Sequence, residues 1–514
     1  MEIKRDSASK SLWQETAIPL GVIQQPEDNM VYDALIIGGG ITGITTALLL
    51  QKQGKRCILV EGHNLGYGTT GGTTAHINTF FDSTYPEIES AFGEDAAKLV
   101  ANAGKEAIEM ISSFVNTYQI DCDLETKKAY LFSQNEKESK QLMDILNSAL
   151  NAGVEVTQVK QNGVPIEFHR TLEFTGQAQL HPTKYIFALA EEFVKLGGTI
   201  IDQTFIRDVK TANGIHIASS DQQYFKASNV IYATHIPPGI NQFNFRCAPY
   251  RSYVLGVRLT SEIDYPPELA YDMQEPYHYF RTHTIDGEKL LIIGGEDRKT
   301  GHEEPEQAFK DLEEYAYSYF DIKQIAFRWS SQYYVPVDGL PYIGRMSANE
   351  DSIFVATGFN GNGITWGTIA AKIITDEILG KENPYSDLFK PSRMKPVAGF
   401  TEFVKENADV AYHFITDRFN TEDLESLSDL EKEEGKVVDF KGEKIAVYKD
   451  KNGIISALHP TCTHAGCTVK FNAAEKSWDC PCHGGRFGID GKVISGPPRI
   501  DLALVNLVKT GNQY

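Results

Sequence analysis

The sequence has little cysteine, no long apolar run and no excess of positive charge, and each shortage excludes a class of protein. Seven cysteines in 514 residues are too few for a disulfide scaffold. No uncharged apolar stretch reaches the roughly 18 to 20 residues that a membrane-spanning helix needs. The opening MEIKRDSASKSLWQ has neither the apolar core of a signal peptide nor a twin-arginine pair. A cytoplasmic protein without a transmembrane segment is therefore expected. Lys and Arg total 49 against 69 Asp and Glu, a net charge of −20. Phosphate recognition needs clustered cations, so nucleic acid is not an expected partner. Gly (43) and Pro (21) are too few for collagen-like or broadly disordered material. The length suggests about three domains.

What is present is organised. Residues 1–30 are polar, lack a clear period and read as an N-terminal arm. VYDALII (31–37) is an apolar run of strand length, GGGITG a turn, ITTALLLQKQG a helix, and RCILVE (56–61) a second strand. Amphipathic helices fill about 85–150, and KYIFALAEEFVKLGG (184–198) is a helix ending on a glycine pair. A β-rich stretch runs to about 300, with Asp286-Gly287 as a hairpin signal. KPSRMKPVAGF opens a linker near 390, and FTEFVKENADVAYHFITDRF reads as one more helix. Residues 422–434 hold seven acids and one Lys, a solvated tether. Short strands follow from about 435.

Gly38-x-Gly40-x-x-Gly43 lies between a predicted strand and a predicted helix. The first Gly permits the tight turn and the second lets the backbone approach a pyrophosphate, which the helix N-terminus stabilises. The third allows helix and strand to pack closely. Glu61, eighteen residues on and at the end of the next strand, can accept from a ribose hydroxyl. Alone, this pattern leaves NAD and FAD open. There is no second GxGxxG for a nicotinamide cofactor, which argues against a flavin reductase with two nucleotide domains.

Further segments are informative: GHNLGYGTTGGTTAH after Glu61, HPTKYIFALAEEFVKLGG, VIYATH, VDGLPYIGR (337–345) and IFVATGFNGNGITWG (353–367). Together with the fingerprint they resemble the D-amino-acid oxidase and glycine oxidase family of FAD enzymes over about 30–385. The resemblance implies that Gly38, Gly40 and Gly43 hold the pyrophosphate and Glu61 the ribose. It places Thr69, Thr70, Thr73 and Thr74 by the phosphates and flavin, and the backbone of Ile206 at the adenine. Gly361, Gly363, Ile364 and Thr365 would begin a helix facing the flavin pyrimidine. His76, just after the Thr turn, reads as a non-covalent neighbour of the flavin rather than its covalent anchor.

Cys462-Thr-His464-Ala-Gly-Cys467 and Cys480-Pro-Cys482-His483-Gly lie 12 residues apart. C-x-H followed by C-x-x-H supplies two thiolates and two imidazoles, the set a Rieske [2Fe–2S] cluster requires. Zinc sites usually space their ligands C-x₂₋₄-C and H-x₃₋₅-H, which C-x-H does not fit. CTHAGC…CPCHGG with the later GPP (496–498) resembles Rieske proteins over about 430–510. That resemblance implies Cys462, His464, Cys480 and His483 as ligands and a Cys467–Cys482 disulfide pinning the two loops. High-potential relatives carry hydroxyl side chains where this chain has Gly485 and Phe487, so a potential in the lower part of the Rieske range is expected. Cys57, Cys122 and Cys247 are scattered and read as isolated apolar thiols.

Glu275-x-x-His278-x₄-His283 imitates a mononuclear iron site and is rejected. In the strand YHYFRTH, positions five apart face opposite ways. In Rieske oxygenases, moreover, such a site follows the Rieske motif, whereas here it precedes it.

The expected fold is α/β: a Rossmann-like FAD-binding domain with an inserted α+β substrate domain, then a small all-β Rieske domain. The FAD-dependent oxidoreductase is placed at 31–388, with FAD-binding parts at about 31–85, 170–240 and 330–388 and substrate parts at about 86–169 and 241–329. A linker and helix span 389–430, and the Rieske domain 431–510. The expected function is a flavin-dependent dehydrogenase oxidising a small amine or amino acid, with electrons leaving through the cluster to an external acceptor. The alternatives are reverse flow, from cluster to flavin, and a non-catalytic electron-transfer or redox-sensing module. Arg251, Tyr253, Tyr279 and Arg281 fall in the β-rich stretch expected to cover the flavin. Amino-acid oxidases of the family this chain resembles often grip a substrate carboxylate with an Arg and set a Tyr beside it, and that resemblance implies these roles for Arg281 and Tyr279.

Overall fold

The strand–turn–helix–strand unit forms as the sequence predicts: Val31–Ile37, helix Ile41–Lys52 and strand Cys57–Val60. The computed structural model describes residues 5–18, 20, 26–27, 29–302, 304–347, 350–393, 422–423 and 427–507. VYDALII is buried continuously from Ala34 to Ile37, the signature of a strand covered on both faces. It pairs in parallel on both sides, Leu35 opposite Val230 of strand Tyr224–Tyr232 and opposite Ile58. Glu350–Thr357 adds a further parallel neighbour. Ile44 and Leu48 of the first helix share an apolar core with Ile369 and Ile373 of helix Gly363–Ile378. Each such buried side chain contributes roughly 1.5–3 kcal/mol. Both helices follow parallel strands, so their N-termini lie at the same edge of the sheet, where open α/β folds bind ligands.

A second, nine-stranded sheet carries the inserted part. Its central path runs Ile322–Pro336, Cys247–Leu259, Glu288–Lys299, His278–Ile285, Leu269–Asp272, Glu125–Ser133, Arg170–Gln179 and His76–Ile77. Asp286 and Gly287, both at positive φ, join Ile285 to Glu288 as the expected two-residue hairpin. Helices Glu94–Tyr118 and Glu136–Asn151 flank strand Glu125–Ser133 in sequence. Three expected boundaries move. Strands His76–Ile77 and Arg170–Gln179 and residues 330–336 belong to this second sheet, not to the nucleotide-binding one. Alternation reveals a strand, but only tertiary pairing decides which sheet it joins.

The C-terminal region is all-β, as expected, with two four-stranded sheets: one from Gly435–Phe440, Glu443–Lys449, Ile455–Leu458 and the short Glu422–Asp423, the other from Lys470–Asn472, Ser477–Asp479, Arg486–Gly488 and Val493–Ser495. The helix predicted in FTEFVKENADVAYHFITDRF lies outside the described residues.

The core of the described arm, Ser11 to Gln14 with Arg5 and Asp6, is buried. Ser11 caps helix Leu12–Thr16 in a capping box with Gln14, and Leu12, Trp13 and Gln14 have almost no exposure. Trp13 stands edge-on to His181 (5.0 Å) and His283 (4.9 Å), and its Nε1 donates to Thr73 O. The adjacent Leu12 and Trp13 set no period in the sequence, yet Trp13 fastens the arm to the Thr turn and Leu12 packs in an apolar cluster with Val254 and Trp329.

Candidate active site and cluster site

A cavity of about 560 Å³ runs from the first Gly turn to the second sheet. At its nucleotide end Gly38 has φ +115°, and a Cβ there would meet Ala233 O at 2.4 Å. A Cβ at Gly43 would stand 1.9 Å from Gly38 O. Both positions therefore require glycine, as the fingerprint predicts. Gly38 and Gly40 line the cavity, while Gly43 provides the close helix–strand contact instead. The Glu61 carboxylate lines the cavity and accepts from Gly39 N (2.6 Å) and His63 N (2.9 Å). Burial raises its pKa, and those amides oppose the rise.

The Thr turn folds over the same space. Thr69, Thr70, Thr73 and Thr74 all line the cavity, and Thr70 Oγ1 accepts from Ile41 N at 3.1 Å. Ile206 lines the nucleotide end. At the start of helix Gly363–Ile378, Gly361, Gly363 and Ile364 line the cavity. Thr365 is buried behind them, its hydroxyl donating to Asn78 O. A Gly cradle, a ribose-side acid and a helix N-terminus along one cavity fit an FAD.

The C-terminal sheets hold the second constellation. Two matching turns form it: Gly466 N donates to Cys462 O and Gly484 N to Cys480 O, each at 3.0 Å. The Cys462 and Cys480 thiols are buried and in contact with each other. The His464 and His483 rings are 4.9 Å apart and nearly perpendicular. All four of their ring nitrogens are buried with no hydrogen-bond partner. Orphaned imidazole nitrogens are costly unless something binds them, and two thiols beside two such imidazoles fit a Rieske cluster. The sulfurs of Cys467 and Cys482 are 2.06 Å apart, at bonding distance. Gly485 lies against these loops, and a Cβ there would be 3.7 Å from Cys462 Sγ.

Comparison with known proteins agrees with both sites. The FAD dependent oxidoreductase family matches residues 33–377, and the Rieske [2Fe-2S] domain matches 422–505. The chain belongs to the FAD dependent oxidoreductase family. It is 35% identical to the Rieske 2Fe-2S iron-sulfur protein YhfW of Bacillus subtilis over 97% of this chain and 98% of that one. It is 20% identical to gamma-glutamylputrescine oxidoreductase of Escherichia coli, over 69% of this chain and 85% of the relative. Glycine oxidase from Geobacillus kaustophilus shares the fold at TM-score 0.60 and 18% identity, covering 71% of this chain and 99% of that structure. The protein is thus an FAD-dependent oxidoreductase carrying a Rieske domain. No helix among the described residues is long and apolar enough to cross a membrane.

In this oxidoreductase the two sites meet. Gln332 and His235 line the flavin cavity. Gln332 Nε2 donates to Gly484 O at 3.0 Å, and Tyr334 Oη donates to His483 O at 3.3 Å. The Tyr334 ring stands edge-on to His235 at 4.7 Å, and His235 Nδ1 is 3.3 Å from Thr69 Oγ1. The domains are locked by buried charges. Arg486 reaches Asp479 (3.1 Å) within its own domain and Asp6 of the arm (3.1 Å). Arg251 donates to Ser330 Oγ (2.8 Å) and faces Glu475 at 3.5 Å. The sequence reading did not single out Gln332, Tyr334 or His235: the first two lie two apart on strand Ile322–Pro336 and belong to no motif, and His235 closes the VIYATH segment without a role of its own there.

The proposed substrate contacts divide. Tyr279 lines the cavity, its hydroxyl 2.8 Å from Ser252 Oγ. Arg281 does not line it: its guanidinium donates to Thr74 O, Ala75 O and Leu180 O. Arg281 therefore fixes the Thr turn instead of gripping a carboxylate, a correction to its expected role. Arg251 serves the domain interface, and Tyr253 packs on Phe309 at 4.9 Å. His76 lines the cavity with its pKa pushed down to about 3, by burial first and Arg281 second, so it stays neutral. His278 pairs with Asp272 at 2.9 Å, whereas His283 lies by Trp13 and Asp123. The two histidines diverge, as the strand argument requires.

Proposed function

We propose that the protein is a dehydrogenase of small amines or amino acids whose electrons leave through the Rieske centre to an external acceptor. The observation that carries this reading is the direct contact of cavity-lining Gln332, and of Tyr334 beside His235, with the backbone of the His483 loop. Bound FAD supplies a two-electron acceptor for a C–H bond beside nitrogen, and the cluster a one-electron carrier. Gly38, Gly40, Glu61 and the Thr turn hold the first; Cys462, His464, Cys480 and His483 hold the second. Cys467 and Cys482 pin the ligand loops as a disulfide. Tyr279 and neutral His76 border the reacting end, where His76 can accept a hydrogen bond without adding charge.

The test is anaerobic addition of amines, N-methyl amino acids and D-amino acids to the FAD- and iron-loaded protein, following flavin absorbance and the reduced-cluster EPR signal together. Flavin bleaching followed by growth of the EPR signal is expected. Bleaching with no cluster reduction would break the proposed electron route. Cluster reduction by a donor protein ahead of the flavin would reverse it.

A further inference from the structure

A segment of four residues serves the flavin cavity and the Rieske domain at once. Phe205 and Ile206 line the nucleotide end of the cavity. Phe205 also packs on the apolar core of the Rieske domain around Trp478 and Phe487. A Cβ on Gly62, next to the ribose-side Glu61, would meet the Phe205 ring at 3.0 Å. The following two residues grip the same domain. Arg207 Nη1 donates to Arg499 O (2.9 Å) and pairs with Asp501 (3.3 Å), and Asp208 pairs with Arg499 (2.9 Å). Arg499 Nη2 donates to Pro238 O at 3.0 Å, and Gly239 N to Pro497 O at 2.8 Å.

The Rieske side answers with a wall of its own. Ile494, Ser495 and Gly496 line the cavity, and a Cβ on Gly496 would stand 3.6 Å from Ile236 O. Ser495 Oγ is buried there with no hydrogen-bond partner in the protein. A buried hydroxyl is costly unless something bonds it. Further along the same loop, Pro498 lies on the cluster turn, where a Cβ on Gly485 would meet its Cδ at 2.7 Å. The loop therefore stands between the two cofactor sites. The FAD dependent oxidoreductase match ends at residue 377, so this wall comes from outside that family's part of the chain.

We infer that the Rieske domain completes the FAD site: residues 494–496 close over the nucleotide half of the cofactor, and the Ser495 hydroxyl bonds to it. FAD and the docked Rieske domain then stabilise each other, because a ligand held by both favours the docked arrangement. This holds whichever way electrons flow, and it is tested without turnover. Amide hydrogen exchange of the cluster-loaded full-length protein is followed by mass spectrometry with and without FAD. FAD is expected to slow exchange at 491–496 as well as at the Gly38 turn. The Rieske strands Gly435–Phe440 and Glu443–Lys449, none of whose residues lines the cavity, should be unchanged. FAD affinity is then measured by flavin fluorescence on the same protein stripped of FAD. Ser495→Ala, which removes only the hydroxyl, should weaken binding about fivefold. Arg499→Ala, which lies off the cavity and frees the loop from Asp208 and Pro238, should weaken it about threefold. The Rieske visible spectrum reports that each variant keeps its cluster domain folded. Unchanged exchange at 491–496 overturns the inference. So does equal slowing in the two remote strands, which would mean general stabilisation, or an FAD affinity that neither substitution changes.

Discussion

The cluster site and the flavin cavity are built on opposite plans. The cluster site draws its four expected ligands from two turns within 22 residues (462–483). The flavin cavity gathers its walls from the arm to Gly496, across both large sheets and the Rieske domain itself. A metal centre needs a few strong donors at short range, which two turns can present. A large organic cofactor and its substrate need an extended surface, which only several packed elements can provide. The first site is therefore vulnerable to single substitutions, and the second to changes in packing and charge.

The largest expected effect is at the compact site. Cys480→Ser should abolish the cluster's visible and EPR signals while FAD content is retained. Retention of a Rieske spectrum would show that Cys480 is not a ligand. The next tests the seam between the regions. Arg486 is fully buried between Asp479 and Asp6, so Arg486→Ala leaves the buried Asp479 without its cation and Asp6 with Arg5 alone. A loss of about 3–5 kcal/mol is expected by denaturant unfolding. A change below about 1 kcal/mol would mean that the arm and the Rieske domain are not coupled through this residue.

The smallest effect is on the cluster's potential. Gly485 and Phe487 offer no hydroxyl to the cluster, so a midpoint in the lower part of the roughly −150 to +300 mV Rieske range is expected. Phe487→Tyr should raise it. About 1 kcal/mol of hydrogen bonding that favours the reduced state equals roughly 40 mV for one electron. A midpoint near the top of the range in the unaltered protein, or a downward shift in the variant, would contradict this account.

How legible each region was follows from how local it is. The Gly fingerprint, Glu61 and the C-x-H…C-x-x-H pattern could be read directly, because the chemistry dictates residue type at fixed short spacing. The Asp286-Gly287 hairpin was legible for the same reason: two adjacent residues must take positive φ. Arg281 was misread because its composition and neighbourhood suit a substrate grip, while its orientation depends on Thr74, Ala75 and Leu180, distant in sequence. The arm was read as polar because its apolar residues, Leu12 and Trp13 among them, set no period.

The sequence by itself determined the two cofactor classes and the α/β and all-β characters, and it named the candidate ligand and cradle residues, since each depends on a few neighbouring residues and fixed backbone geometry. Only the tertiary structure decided which sheet Arg170–Gln179 joins, that Gln332 and Tyr334 touch the cluster loops, and that Arg281 is turned onto the backbone of Thr74, Ala75 and Leu180. Those are contacts between residues far apart in the chain, and packing, not local sequence, brings them within reach.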